Sequence, residues 1–476
     1  MAFHNRTREL VTLGQMRQSP RAELFMLYGR RGVGKSTLLS HSFADTPHIF
    51  YRATRRTLPL QLETLTAMAR DAYPSAFLAQ PFASMETFLA WLAHLAQGQA
   101  EQPVVVILDE LPYLADVDRG FLTVLQHWWD QQKRLPNLKL ILTGSYVAFM
   151  ERQVLDLNAP LYNRRTGSLK LEPFDYLEAA LFFPGYTPQE RIEAYAVLGG
   201  MPSYLEQFDP DRNLEENLLA TALRRNTYLN EEPDWLLLED LRKDVVYGSI
   251  LRAIATGNRR PSDITRAIGR QAAQDVSAQL QSLLDLDLIR RDVPITERQR
   301  PMSRNSLYFL ADNYLAFWYR YVDPNRSLIA QSLERRVLAR IQQSFAEYVS
   351  RPPFEEVCRQ FLWHAYRFGT LPKELQFDEV GTWWDGGHEI DVVARENGLT
   401  TLTGSCKWTQ ASIGLSELAA LQQTLAAGAS QLHPSPTCYW ALFSRTGFAA
   451  DLRSLAQRVD QRVLLFTPDD LYPQAW

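Results

Sequence analysis

Eight residues near the N-terminus, Gly29-Arg-Arg-Gly32-Val-Gly34-Lys35-Ser36, combine glycines, a lysine and a hydroxyl at the spacing GxxxxGK[ST]. The glycines let backbone N–H groups turn inward around phosphate oxygens without side-chain clashes. A lysine at this position reaches the terminal phosphates, and the hydroxyl after it holds Mg²⁺. Gly29, Gly32, Gly34, Lys35, Ser36 and Thr37 are therefore expected to bind ATP with Mg²⁺. The chain has only seven lysines among 476 residues, so a lysine completing this motif does not follow from abundance. Further on, the apolar run Val104-Val-Val-Ile-Leu108 ends in Asp109-Glu110. Asp109 is expected to orient the metal through water, and Glu110 to polarise the attacking water, as triphosphate hydrolysis requires. Thr143-Gly144-Ser145 ends another apolar run and offers a polar group to sense the γ-phosphate. Leu161-Tyr-Asn-Arg164-Arg165 supplies two candidates for an arginine that stabilises the transition state, in cis or from a neighbouring subunit. The alternative for that pair is a solvated loop.

A second group of chemical residues lies near the C-terminus. In Glu389-Ile-Asp391-Val-Val the two-residue period of a strand puts both carboxylates on one face. The same period brings Ser405 and Lys407 together within residues 401–408. Between the two groups, residues 241–310 carry twelve Lys/Arg against seven Asp/Glu, whereas residues 172–240 carry four against fifteen. The formal charge of −4 thus hides a basic module beside an acidic one. Such a module suits a nucleic-acid partner, and self-association of the two modules is the competing explanation.

The elements that must hold these residues follow from hydrophobic periodicity. Residues 23–28, 48–52, 103–108 and 138–142 read as buried strands of a parallel sheet, with helices over 35–42, 60–72 and 85–96 between them. Strand–helix alternation of this kind predicts an α/β sheet covered on both faces. Residues 175–240 read as helical. Residues 244–257, 261–269 and 272–286 read as three helices, with Pro261-Ser262-Asp263 as the N-terminal cap of the second. Residues 288–291 and 306–310 form a hairpin after them, which makes a winged helix-turn-helix. Its Arg259, Arg260, Arg266, Arg270, Arg298, Arg300 and Arg304 could neutralise phosphates of duplex DNA; the alternative is a rigid protein-docking unit. An aromatic and arginine-rich connector spans 314–348, and Arg351-Pro352-Pro353 breaks it before a further α/β segment. At this length two to four domains are expected. No apolar run is long enough to span a membrane, and no signal peptide is visible. The three cysteines are odd in number and far apart, so a reducing cytoplasm is the expected location.

The opening Phe3-His-Asn-Arg6-Thr-Arg8-Glu9-Leu10, the phosphate loop, the LDE and TGS strand ends and the LYNRR segment together resemble the archaeal-type ATPases, relatives of the STAND branch of P-loop ATPases. The resemblance implies an α/β P-loop NTPase sheet of order 5-1-4-3-2 followed by a helical lid. It also places the N-terminal box, here Arg6 and Glu9, near the nucleotide base. Asn5 and Asn163 stand where the family usually has glycine. The C-terminal segment resembles the PD-(D/E)XK nuclease superfamily, a restriction-endonuclease-like α/β domain. There a helix glutamate, a strand aspartate and an acidic-x-lysine strand build a Mg²⁺ site. Glu355, Asp391 and Lys407 match that pattern, and Glu389 shares the face of Asp391. Ser405 departs from it, because the usual Gly-Glu-Cys-Lys-Trp is Gly404-Ser405-Cys406-Lys407-Trp408 here. Losing a carboxylate removes a strong oxygen ligand from a hard-cation site.

The expected organisation is a P-loop ATPase core (1–172), a helical lid (173–240), a winged helix (241–312), a helical connector (313–350) and a nuclease-like domain (351–476). The expected function is Mg²⁺-dependent ATP binding and hydrolysis controlling the winged helix and the nuclease-like domain on DNA. Two alternatives are an ATP-gated nuclease and a slow-turnover switch for a protein partner or a homo-oligomer. No membrane partner is expected.

Overall fold

The computed structural model describes residues 3–74, 78–98, 102–135, 137–240, 245–270, 276–299, 303 and 305–473. The chain forms two compact units, Met1–Pro173 and Phe174–Trp476. Among the described residues no helix is long and apolar enough to cross a membrane.

The first unit is built on five parallel strands: β1 Glu23–Tyr28, β2 His48–Arg52, β3 Val104–Asp109, β4 Leu138–Gly144 and β5 Gly167–Lys170. Their order, β2-β3-β4-β1-β5, is the 5-1-4-3-2 order that the resemblance implies. β3 and β4 are buried along their whole length, which is why their sequences are nearly unbroken Val, Ile and Leu. β5 is a four-residue edge strand of mixed polarity, so no periodicity in its sequence announced it. The helices α1 Thr7–Gln18, α2 Lys35–Ser42, α3 Leu58–Ala72, α4 Met85–Gly98, α5 Leu111–Val117 and α6 Phe121–Gln132 complete this unit's main elements. Phe88, Leu92, Phe121, Leu125 and Trp129 of α4 and α6 share one apolar cluster with Val106 and Leu140 of the sheet. Register aligns the C-terminal ends of the strands: Tyr28 lies beside Gly144, and Arg52 beside Asp109. In parallel α/β sheets that edge is where ligands bind.

The second unit begins with helices, then places Val245–Ala255, Pro261–Ala267 and Ser277–Asp285 before the antiparallel hairpin β6 Ile289–Asp292 and β7 Leu307–Leu310. The second of these helices is capped by a residue other than those in the Pro261-Ser262-Asp263 pattern. Its cap residue is Arg260, without a side-chain cap bond, and Pro261 occupies the first turn. Proline suits that position because its missing N–H would have no helical partner. Asp244 and residues 272–275, expected to be helical, and Arg300 and Arg304 lie outside the described residues. Arg298 is exposed, and its Nη2 donates to Val380 O at 2.8 Å.

Beyond Arg351, whose backbone is non-helical, the helix Glu355–Arg367 leads into a mixed sheet. Its strands are β8 Glu379–Asp385, β9 His388–Glu396, β10 Leu399–Lys407, β11 Pro434–Ser444 and β12 Val463–Phe466, in the order β12-β11-β10-β9-β8. The β8, β9 and β10 neighbours are antiparallel, and β10, β11 and β12 are parallel. The helix Leu415–Ala427 covers one face through Leu418, Leu421 and Leu425, which join Trp383, Ile390 and Leu442 in a buried cluster.

Asp175 ties the start of this unit to its centre. Its Oδ1 accepts from the N–H groups of Leu177 and Glu178, capping the helix Tyr176–Ala180, and its Oδ2 lies 2.7 Å from His364 Nε2. Burial pushes this carboxyl up, but the His364 bond and the cap bonds outweigh it and hold Asp175 below the usual carboxylate range. A lowered folded pKa stabilises above the unfolded value of about 4 and is lost as pH falls through the lowered one. Asp175→Asn should keep the cap and lose the His364 pairing, whereas Asp175→Ala loses both, adding about 1 kcal/mol for the cap. Urea unfolding followed by tryptophan fluorescence should rank wild type, Asn and Ala in that order at pH 7. The gap between wild type and Asn should close toward pH 3.

Candidate functional site

The loop between β1 and α2 is shaped by its glycines. Gly29, Gly32 and Gly34 take φ values of 151°, 82° and 96°, a region that side-chain-bearing residues rarely occupy. A Cβ on Gly29 would lie 2.4 Å from Leu171 O, so this position also needs the absence of a side chain. The loop is braced from below by Arg6, buried at the start of α1. Its guanidinium donates to Val33 O (3.0 Å) and Glu172 O (2.8 Å) and pairs with Glu9 (3.2 Å). The N-terminal box therefore holds the loop and the segment after β5 together, a role its sequence did not announce.

Lys35 is only 6% exposed. Its Nζ donates to Gly29 O (2.7 Å), Arg30 O (3.1 Å) and Ser145 Oγ (2.9 Å). Burial lowers its pKa to about 8, a shift that Glu110 and Asp109 oppose. Ser145 then passes the connection on: its Oγ donates to Glu110 Oε1 at 2.5 Å, and its N–H donates to Oε2 at 3.2 Å. Lys35, Ser145 and Glu110 thus form one chain of hydrogen bonds across the ends of β4 and β3. Glu110 takes the left-handed backbone conformation at φ 58°, ψ 52°, which aims its carboxylate back over the strand ends.

Asp109 is 2% exposed and has every lone-pair direction taken. Oδ1 accepts from the Thr143 hydroxyl and from Glu110 N–H. Oδ2 accepts from Ser36 Oγ at 3.2 Å and from Arg52 Nε at 2.8 Å. Thr37 follows Ser36 in the first turn of α2. The residues expected from spacing are therefore brought together, and Arg52, which spacing did not single out, joins them.

Arg164 and Arg165 are engaged elsewhere. Arg164 pairs with Asp130 of α6 at 2.9 Å, and Arg165 donates to Leu155 O and stacks on the Tyr162 ring. In this structure neither contacts the groups around Lys35.

In the second unit, Glu355 starts its helix near Glu389, Asp391 and Lys407, which lie at one end of the neighbouring interior strands β9 and β10. Burial and then Asp391 push Glu355 up to about 8, although Arg359 and Arg351 pull it down. Arg351 pairs with both Glu355 (3.5 Å) and Glu389, and Arg359 approaches Glu355 (3.9 Å) and Glu356 (2.9 Å). Asp391 Oδ2 accepts from Cys406 N–H (2.8 Å) and lies 3.4 Å from Ser405 Oγ. Lys407 does not face an empty position, because Glu417 from the helix Leu415–Ala427 reaches it. Glu417 Oε1 lies 3.1 Å from Lys407 Nζ and accepts from Ser405 Oγ at 2.8 Å. The carboxylate missing at position 405 is thus supplied to Lys407 from twelve residues downstream. Arg351 thus pairs with both glutamates, and among the described residues no group of three or more His, Cys, Asp or Glu is placed to hold a metal ion. The cysteines Cys358, Cys406 and Cys438 are free and buried.

Residues 3–208 match the model of an ATPase domain found predominantly in Archaea, and residues 318–419 match a model of archaeal and bacterial proteins of unknown function. An uncharacterized protein of Methanocaldococcus jannaschii is 30% identical over 407 residues, covering 85% of this chain and 87% of that protein. The chain belongs to the archaeal-type ATPase family. A Walker-type ATPase of Pyrococcus abyssi shares the fold with a TM-score of 0.52 at 24% identity, covering 67% of this chain and 96% of that one. The first unit of the ATPase is accordingly a P-loop fold whose ATPase domain carries the Lys35, Ser36, Asp109 and Glu110 constellation.

Proposed function

We propose that the ATPase binds Mg²⁺·ATP through Gly29–Thr37 and hydrolyses it with Glu110. The single observation that carries the reading is the convergence of Lys35, Ser36, Asp109 and Glu110 at the aligned ends of β1, β3 and β4. The donor set fits the metal: a hydroxyl and a buried carboxylate lie 3.2 Å apart and already hold a cationic group. Ser36 and Asp109 would hold Mg²⁺, which when bound neutralises phosphate charge. Lys35 would exchange its loop carbonyls for phosphate oxygens, and Glu110 would accept a proton from the attacking water once Ser145 releases it.

We further propose that nucleotide state controls a second unit organised as a helical lid (173–240), a winged helix (241–312), a connector (313–350) and a nuclease-like domain (351–476). The three helices followed by the β6–β7 hairpin support the winged helix. The exposed Arg260 and Arg266 support contact with duplex DNA. The arginine-neutralised glutamates favour a nuclease-like fold kept for binding over one that cleaves. ATP hydrolysis measured with Mg²⁺ or with excess chelator, each with and without duplex DNA, tests the whole reading. Turnover should require the metal and rise with DNA, and that rise should fade with added salt. Absence of ATP binding at millimolar nucleotide would sink the core claim. Mn²⁺-dependent DNA cleavage lost in Lys407→Ala would replace the binding-only reading of the C-terminal domain with a nuclease.

A further inference from the structure

Arg52 is the last residue of β2, and the β2–β3 register sets it directly beside Asp109. Its Nε donates to Asp109 Oδ2 and its Nη2 donates to Ser36 Oγ, both at 2.8 Å. One guanidinium thus spans the hydroxyl and the carboxylate oxygen that the ATPase reading gives to the metal. The other oxygen of Asp109 is committed to Thr143 and to the backbone of Glu110. Only Oδ2 is therefore available to a cation, and Arg52 has it. A divalent ion held between Ser36 Oγ and Asp109 Oδ2 would meet the guanidinium that spans the same two atoms, and two cations cannot share that position.

Two further facts say what becomes of Arg52 when the metal enters. The side chain is 58% exposed, so it is not packed in place and can swing while its backbone stays in the ladder. Lys35, Arg52, Asp109 and Glu110 balance one another in charge, whereas Mg²⁺·ATP is a net anion. An arginine released beside Ser36 lies within a side chain's reach of the phosphates that Lys35 serves, and its fork suits paired phosphate oxygens. Arg164 and Arg165, held by Asp130 and Leu155 O, are not in a position to do this.

We propose that Arg52 is a cis-acting gate of the nucleotide site: without nucleotide it occupies the metal position between Ser36 and Asp109, and with ATP it moves to the terminal phosphate. The gate makes ADP binding weak, because ADP must displace Arg52 without offering it a γ-phosphate. ATP compensates for the displacement. This inference rests on the nucleotide-binding reading above.

The test measures equilibrium binding of fluorescent ATP and ADP analogues with Mg²⁺ to the full chain, under conditions without turnover, for wild type, Arg52→Gln and Arg52→Lys. Arg52→Gln should bind ADP more tightly and ATP no more tightly, so that the ATP preference shrinks about tenfold, the size expected for a charged phosphate contact. Arg52→Lys keeps the charge but cannot span both partners, and it should fall between the two while retaining the fold. An arginine that merely attracts anions would give weaker binding of both nucleotides in Arg52→Gln, and that result overturns the gate. So does an unchanged ATP-to-ADP ratio in both variants. If wild type binds neither nucleotide, the site reading itself fails, which separates the two failures.

Discussion

Lys35→Ala should weaken ATP binding by at least about a hundredfold, because a buried charge-assisted contact is worth roughly 3 kcal/mol or more when its partner is left behind. The ammonium is enclosed by two loop carbonyls and the Ser145 hydroxyl, and no other lysine lies in the loop. Its lowered pKa shows that the protein holds this charge against desolvation. The same fact predicts that the fold survives the substitution, since removing an incompletely compensated buried charge costs stability little. Titration with a fluorescent ATP analogue, together with the thermal midpoint of the variant, checks both halves. A variant that binds ATP as wild type does would remove Lys35 from the site. One that loses binding along with its thermal transition would show that Lys35 is a structural brace for the loop instead.

The parts of this site that could be read from sequence are those whose chemistry is local. The phosphate loop is contiguous, and the strand carrying Asp109 is a six-residue buried run, so both declare themselves without tertiary information. β1 and β2 matched their expected bounds for the same reason, being short apolar runs between turn signals. Arg52 was invisible because its meaning comes from strand register: only the pairing of β2 with β3 puts it beside Asp109. Glu417 was missed in the same way, since its approach to Lys407 depends on how the helix Leu415–Ala427 lies over β10. Arg164 and Arg298 show the same dependence on tertiary placement: sequence could not announce that Asp130 pairs with the first or that the Val380 carbonyl accepts from the second.

These contacts also bear on how the ends of the site communicate. In the structure Lys35 and Glu110 share Ser145, while Ser36 and Asp109 share Arg52. Each group expected to touch nucleotide is thus already bonded to a second protein group that would have to let go. Binding energy would be spent on breaking both sets of contacts together, which couples occupancy of the loop to release of Glu110.

Glu110→Gln should lower the hydrolysis rate by about a hundredfold to a thousandfold, the range for losing a positioned general base, and leave ATP affinity within about threefold. The amide is isosteric: its oxygen can accept from the Ser145 N–H while its NH2 donates to the Ser145 hydroxyl oxygen. The left-handed backbone at position 110 is also undisturbed, since glutamine faces the same conformational cost of about 1–2 kcal/mol. What disappears is the basicity that withdraws a proton from water. Asp109 cannot take over, because its Oδ1 is bound by Thr143 and Glu110 N–H, and its Oδ2 is the oxygen that would serve Mg²⁺. Single-turnover hydrolysis with enzyme in excess, beside analogue binding, separates chemistry from affinity. If turnover in Glu110→Gln stayed near wild type, the water would have to be activated by a group other than Glu110. If binding fell together with rate, Glu110 would be organising Lys35 through Ser145 instead of serving as the base.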